Sequence, residues 1–133
     1  MIHCYALRLH PGQDLKEELR SFVMEKELSA AWIMTCVGSL TRSHLRYANQ
    51  EEGIYREGHF EILSLVGTLG MSGLHLHICL GDEEGNTFGG HLLSGNLIYT
   101  TAEIVLGSNE EMIFRREEDP ATGYKELSIS HKA

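Results

Sequence analysis

Residues Leu74 to Leu80, LHLHICL, alternate without a break between large aliphatic residues and histidine or cysteine. A period of two is the pattern of a β-strand with one face in a core, because successive side chains point to opposite sides of the pleat. Leu74, Leu76, Ile78 and Leu80 are therefore assigned to the interior, and His75 and His77 to the opposite face. On an extended strand their Cα atoms lie ~6.5 to 7 Å apart, close enough for two imidazoles to converge on one metal ion.

A third histidine, His91, follows on the next apolar segment, Thr87 to Leu93, after the turn sequence GDEEGN. Whether it joins the pair depends on register, since a slip of one residue turns every side chain to the other face. If Glu83-Glu84-Gly85 forms a three-residue loop, with Gly85 in the left-handed region, Asp82 pairs with Asn86 and His91 falls opposite His77. A four-residue loop breaks that arrangement unless a bulge at Gly89-Gly90 restores it. Three neutral imidazoles with a free fourth position are the ligand set of a catalytic zinc, whose water becomes a nucleophile near neutral pH. The competing reading is three ordinary polar residues on a solvated sheet face. Zinc is the first choice of metal, with nickel, iron and copper also accepting nitrogen ligands.

The rest of the chain builds a frame of strands around one helix. Ile2 to Leu9 reads as a strand closed by Pro11-Gly12. Asp14 and Glu17 have capping-box spacing, and Leu15, Leu19, Phe22 and Val23 share a face of a 3.6-residue period through about Lys26. Ala30 to Val37 is short and apolar enough for a strand buried on both faces, continued by a more polar strand from Leu40 to Tyr47. His59 to Gly70 and Leu97 to Leu106 are further strands, with short edge strands at Met112 to Phe114 and Glu126 to Ile129 around a solvated charged loop. The expected fold class is α+β: one main helix on a mostly antiparallel sheet, open or curled into a barrel, forming one domain over residues 1–133.

Composition removes several function classes. The net charge is −8 with histidine neutral, so the surface repels phosphate backbones and direct nucleic-acid binding is disfavoured. No apolar run approaches the ~20 residues of a membrane span. The first residues carry no signal-peptide pattern, so a cytoplasmic location is expected. Cys4, Cys36 and Cys79 are odd in number and widely spaced, which suits buried reduced thiols.

Other chemistry is sparse. There is no phosphate-binding glycine loop, and Ser94 lacks the strand-turn-helix setting of a serine nucleophile. His3, His10, His44 and His131 have no partner at ligand spacing and are assigned to the surface. His59 and Glu61 share parity and are candidates to support the trio or move a proton. Arg42 and Arg46 share a face with His44, as rim residues or as a small anion-binding patch.

Four segments in order, VGSL (37–40), GHFEILSLVGTL (58–69), GLHLHICLGDEEGNTFGGHLLSG (73–95) and AEIVLG (102–107), resemble the plants and prokaryotes conserved domain, or PPC domain. This domain follows AT-hooks in plant nuclear proteins and stands alone in prokaryotes. The resemblance implies a strongly bent antiparallel sheet, a homotrimer, and metal binding by an H-x-H and a later GGH histidine, which here are His75, His77 and His91. The fold is also similar to zinc-dependent acetolactate decarboxylases and a zinc ester-hydrolase family, which implies a hydrolase or lyase acting on a small molecule. The alternative is a non-enzymatic module of DNA-associated regulatory complexes. No Arg-Gly-Arg occurs in the chain, so it has no AT-hook of its own.

Overall fold

The structure, a computed structural model, describes residues 1–133. The strands are β1 (Ile2–Leu9), β2 (Ala31–Arg46), β3 (Ile54–Gly70), β4 (Gly73–Gly81), β5 (Thr87–Leu92), β6 (Leu97–Asn109), β7 (Met112–Glu118) and β8 (Lys125–His131). The helix α1 covers Leu15–Lys26. Six strands form one antiparallel sheet in the order β1-β6-β2-β3-β4-β5. The end of β2 also pairs with β5, Leu45 against Leu92 and Arg46 against His91, so four strands curl toward closure. Shifts in register at Leu40/Arg42 and Ile62/Ser64 supply the bend, since a bulge locally increases twist.

The helix begins where the sequence predicts. Asp14 caps it by accepting from Lys16 N and Glu17 N, and its second oxygen accepts from Gly95 N at 2.7 Å. The reciprocal half of a capping box is not made: Glu17 instead accepts from the Ser94 hydroxyl at 2.7 Å. Leu15, Leu19 and Val23 are fully buried against a core that includes Leu40, Leu69, Leu76, Leu80 and Ile104.

Four expectations are corrected. Ala31 to Val37 is not covered on both faces, because Met34 and Val37 are exposed in the single chain. β3 begins at Ile54 rather than His59; its first residues are mostly exposed, so little apolar alternation marks the strand there. Cys4 is exposed on edge strand β1, while Cys36 is buried and Cys79 half-buried. β7 and β8 do not extend the sheet but form a separate hairpin. It is anchored where Phe114 N donates to Ser29 O at 2.8 Å, Ser29 Oγ to Met112 O at 2.8 Å, and Arg116 N to Ser72 Oγ at 2.9 Å. No helix is long and apolar enough to cross a membrane.

Candidate metal centre

The β4–β5 turn sets the geometry. Asp82 N donates to Asn86 O, Gly85 N donates to Asp82 O, and the Asp82 carboxylate accepts from Glu84 N and Asn86 N. Gly85 has φ +83°, a conformation that glycine adopts without the usual Cβ clash. The loop therefore has three residues, and His77 lies opposite His91. Leu74, Leu76, Ile78 and Leu80 are buried, so the histidines take the other face as parity requires.

Gly89 and Gly90 hold β5 close to both of its neighbours. A Cβ on Gly89 would stand 2.6 Å from Ile78 O on β4, and one on Gly90 would stand 2.7 Å from Arg46 O on β2. Without side chains there, β5 fits between the two strands and His91 is delivered beside both His77 and Arg46.

The three imidazoles fan around a common point. Ring centroids are 4.9 Å apart for His75–His77, 5.2 Å for His75–His91 and 5.8 Å for His77–His91, with no two rings stacked. One ligand atom from each lies within 4.8 Å of the other two. Zinc holds nitrogens at about 2.0–2.1 Å, which places them about 3.4 Å apart in a tetrahedron. Side-chain rotations can supply that contraction, so the donor set fits the ion.

Burial, followed by Arg46 and then His75, pushes His91 down to about 4. Burial, then Arg116, also lowers His75. Both shifts favour the neutral imidazole, the form with a lone pair to share.

Two clefts of about 390 and 380 Å³ meet at His75 and His77. The first includes Thr68 of β3 with Arg116 and Glu126 of the C-terminal hairpin; the second includes Arg46, His91 and Tyr124. Arg116 Nη2 stands 3.5 Å from His75 Nδ1 and donates to Lys125 O at 2.6 Å. A guanidinium has donors only, so His75 Nδ1 faces it as an acceptor. On the far side, Lys16 Nζ donates to Leu92 O at 3.3 Å, and burial is the main cause lowering its pKa.

His59 and Glu61 do not support the trio. Thr68 and Val66 are the β3 residues opposite His75 and His77, whereas Glu61 lies opposite Gly81. His59 contacts Glu83 at 2.8 Å and packs against Tyr99, near the turn end of the β4–β5 hairpin. Shared parity does not fix a position along a strand. Of the basic group on β2, His44 stacks on Tyr55 at 3.7 Å and Arg42 lies over the same ring at 4.4 Å. Only Arg46 reaches the cluster. Arg116 comes from the loop expected to be merely solvated, and Glu126 from the expected edge strand that follows it.

Fold and site define a small α+β domain that carries a three-histidine constellation on a bent antiparallel sheet. The chain belongs to the Plants and Prokaryotes Conserved (PCC) domain family, whose pattern matches residues 2–110. It is 49% identical over 132 residues, 99% of its length, to the bifunctional protein GlmU of Synechococcus sp. strain JA-3-3Ab. The chain spans about a fifth of the length of the curated relatives it matches. A solved hypothetical protein from Salmonella enterica superposes with a TM-score of 0.98 at 44% identity, covering 100% of this chain and 96% of that one. A metal-containing protein from Archaeoglobus fulgidus superposes with a TM-score of 0.78 at 31% identity, covering 95% and 93%.

Proposed function

We propose that His75, His77 and His91 hold one divalent transition metal ion, zinc first, and that the site acts on a small carbonyl or ester compound as a hydrolase or lyase. The convergence of three ligand atoms within 4.8 Å at the junction of two clefts carries this reading. The metal-containing relative from Archaeoglobus fulgidus supports it. A zinc ion on three imidazoles supplies Lewis acidity and an activated water near neutral pH.

The chain's own residues do the rest. β4 fixes two imidazoles on one face, and the Gly89-Gly90 pair delivers the third. Glu126 is the one carboxylate among the residues lining the two clefts, and so the group placed to take and return a proton.

The working form is a homotrimer in the cytoplasm. Met34 and Val37 on β2 and Leu63 and Val66 on β3 are 53%, 62%, 54% and 57% exposed, apolar surface on neighbouring strands that a partner copy would cover. All three cysteines are unpaired, in keeping with a reducing compartment. Mass measurement in solution is expected to give three chains, and a monomer overturns that part. For the site, elemental analysis of protein purified without chelator is expected to give about one metal ion per chain, lost in His75→Ala and His91→Ala. Unchanged metal content in both variants overturns the ligand assignment.

A further inference from the structure

The cations around the histidines have an uncommon status. The chain has 19 Asp and Glu against 11 Lys and Arg, so carboxylate partners are abundant. Its three ion pairs are Arg20–Glu17, Arg56–Asp82 and His59–Glu83, and none involves Arg46, Arg116 or Lys16. Arg46 pairs in register with His91, so both side chains leave the same face of the sheet. Arg116 approaches from the other cleft, tied through Lys125 O, with one nitrogen at His75. Both arginines are half-buried. Lys16 adds positive charge beyond Leu92, tempered by Asp14 and Glu17 of its own end of the helix. Glu126 is the one carboxylate that lines the first cleft with Arg116, and it lies outside ion-pair distance.

Half-buried guanidiniums without a counter-charge are costly to keep unless an anion arrives, and their planar forks match the oxygens of a carboxylate or phosphate. A divalent cation on the histidines would deepen the positive field. The clefts are of a size for a small molecule. Arg116 and Glu126 lie beyond the family-matched segment 2–110, so this half of the arrangement rests on the C-terminal hairpin.

We propose that the compound handled at the three-histidine site is a small oxyanion-bearing molecule, its carboxylate or phosphate group bound between Arg46 and Arg116 on either side of the trio. The inference deepens the metal-site reading and rests on it for the position of the reacting group, while the anion contacts belong to the two arginines alone.

The test is calorimetric titration of the full chain, zinc-loaded and chelator-treated, with malonate in one arm and inorganic phosphate in the other. Zinc content and melting temperature are recorded on the same samples. The expected result is saturable binding of one probe, weakened at least about tenfold in both Arg46→Gln and Arg116→Gln, which is the scale of one lost charge-assisted hydrogen bond. Glu126→Gln is expected to strengthen the same binding, because it removes the opposing carboxylate. The tighter of the two probes identifies the anion class. Since the arginine variants need not fold as well as the parent, the gain in Glu126→Gln is a second readout that misfolding cannot mimic.

Absence of saturable binding by either probe overturns the proposal, as does binding indifferent to both arginines. Protein that holds one zinc per chain yet ignores both probes overturns the anion site and leaves the metal reading standing. Protein that takes up no zinc on loading yet binds a probe through both arginines supports the anion site and overturns the metal reading.

Discussion

Replacing Gly90 by alanine tests how the third histidine reaches the site. The added Cβ would stand 2.7 Å from Arg46 O and 3.3 Å from the carbonyl carbon. Ordinary contact begins near 3.4 Å, so β5 must retreat from β2 by about 0.7 Å. The obstacle is backbone on both sides, and a rotamer change cannot relieve it. Only two residue pairs, Leu45–Leu92 and Arg46–His91, join β5 to β2, so the closure itself yields. Overpacking of this kind costs about 1–3 kcal/mol. For a chain of 133 residues that lowers the melting temperature by roughly 4–12 °C. A comparable displacement of His91 comes on top of the contraction that zinc already requires of the three ligand atoms, so zinc affinity should fall. Thermal unfolding of metal-free protein reads the first effect, and competition with a chromogenic chelator reads the second. A variant that melts with the parent and holds zinc equally well would refute the account of how β5 is packed.

Asp14→Ala removes the helix cap and the acceptor of Gly95 N together, and should cost about 1–2 kcal/mol in chemical denaturation. The Ser94 hydroxyl, followed in effect by nearby Arg20, holds the Glu17 carboxyl below its usual range. That stability is present above the ordinary glutamate pKa and is lost as pH falls through the lowered folded value. Ser94→Ala should return Glu17 upward, as followed by NMR titration. Burial, aided by the Glu103 carboxylate, pushes the Cys36 thiol up to about 12, so at pH 8 a thiol reagent should label exposed Cys4 quickly and Cys36 only after unfolding. Leu76→Ala, which empties a fully buried site directly between His75 and His77, should cost about 2–5 kcal/mol in the same denaturation assay.

Which parts of the site could be read in advance follows from how local their causes are. The parity of Leu74 to Leu80 and the glycine at position 85 are nearest-neighbour facts, and together they place His77 opposite His91. The strand at Ile54 is less legible, because little alternation marks its exposed start. Arg46 joins the site through the β2–β5 closure, a contact across 45 residues of chain that no periodicity reports. Arg116 and Glu126 arrive with a hairpin positioned by hydrogen bonds to Ser29 and to the Ser72 hydroxyl, beside a stretch whose charge pattern looks like any solvated loop. His59 shows the converse, since its parity suits the site but its register carries it to the Glu83 end.

The central claim is that three imidazoles on two paired strands bind one ion. It meets its most direct test in a crystal structure of protein purified without chelator, with anomalous scattering recorded on both sides of the zinc edge. The account predicts one anomalous peak per chain, bonded to His75, His77 and His91 and missing in His91→Ala. Full incubation with zinc that leaves no peak among these residues, or a peak that survives the substitution, would contradict it.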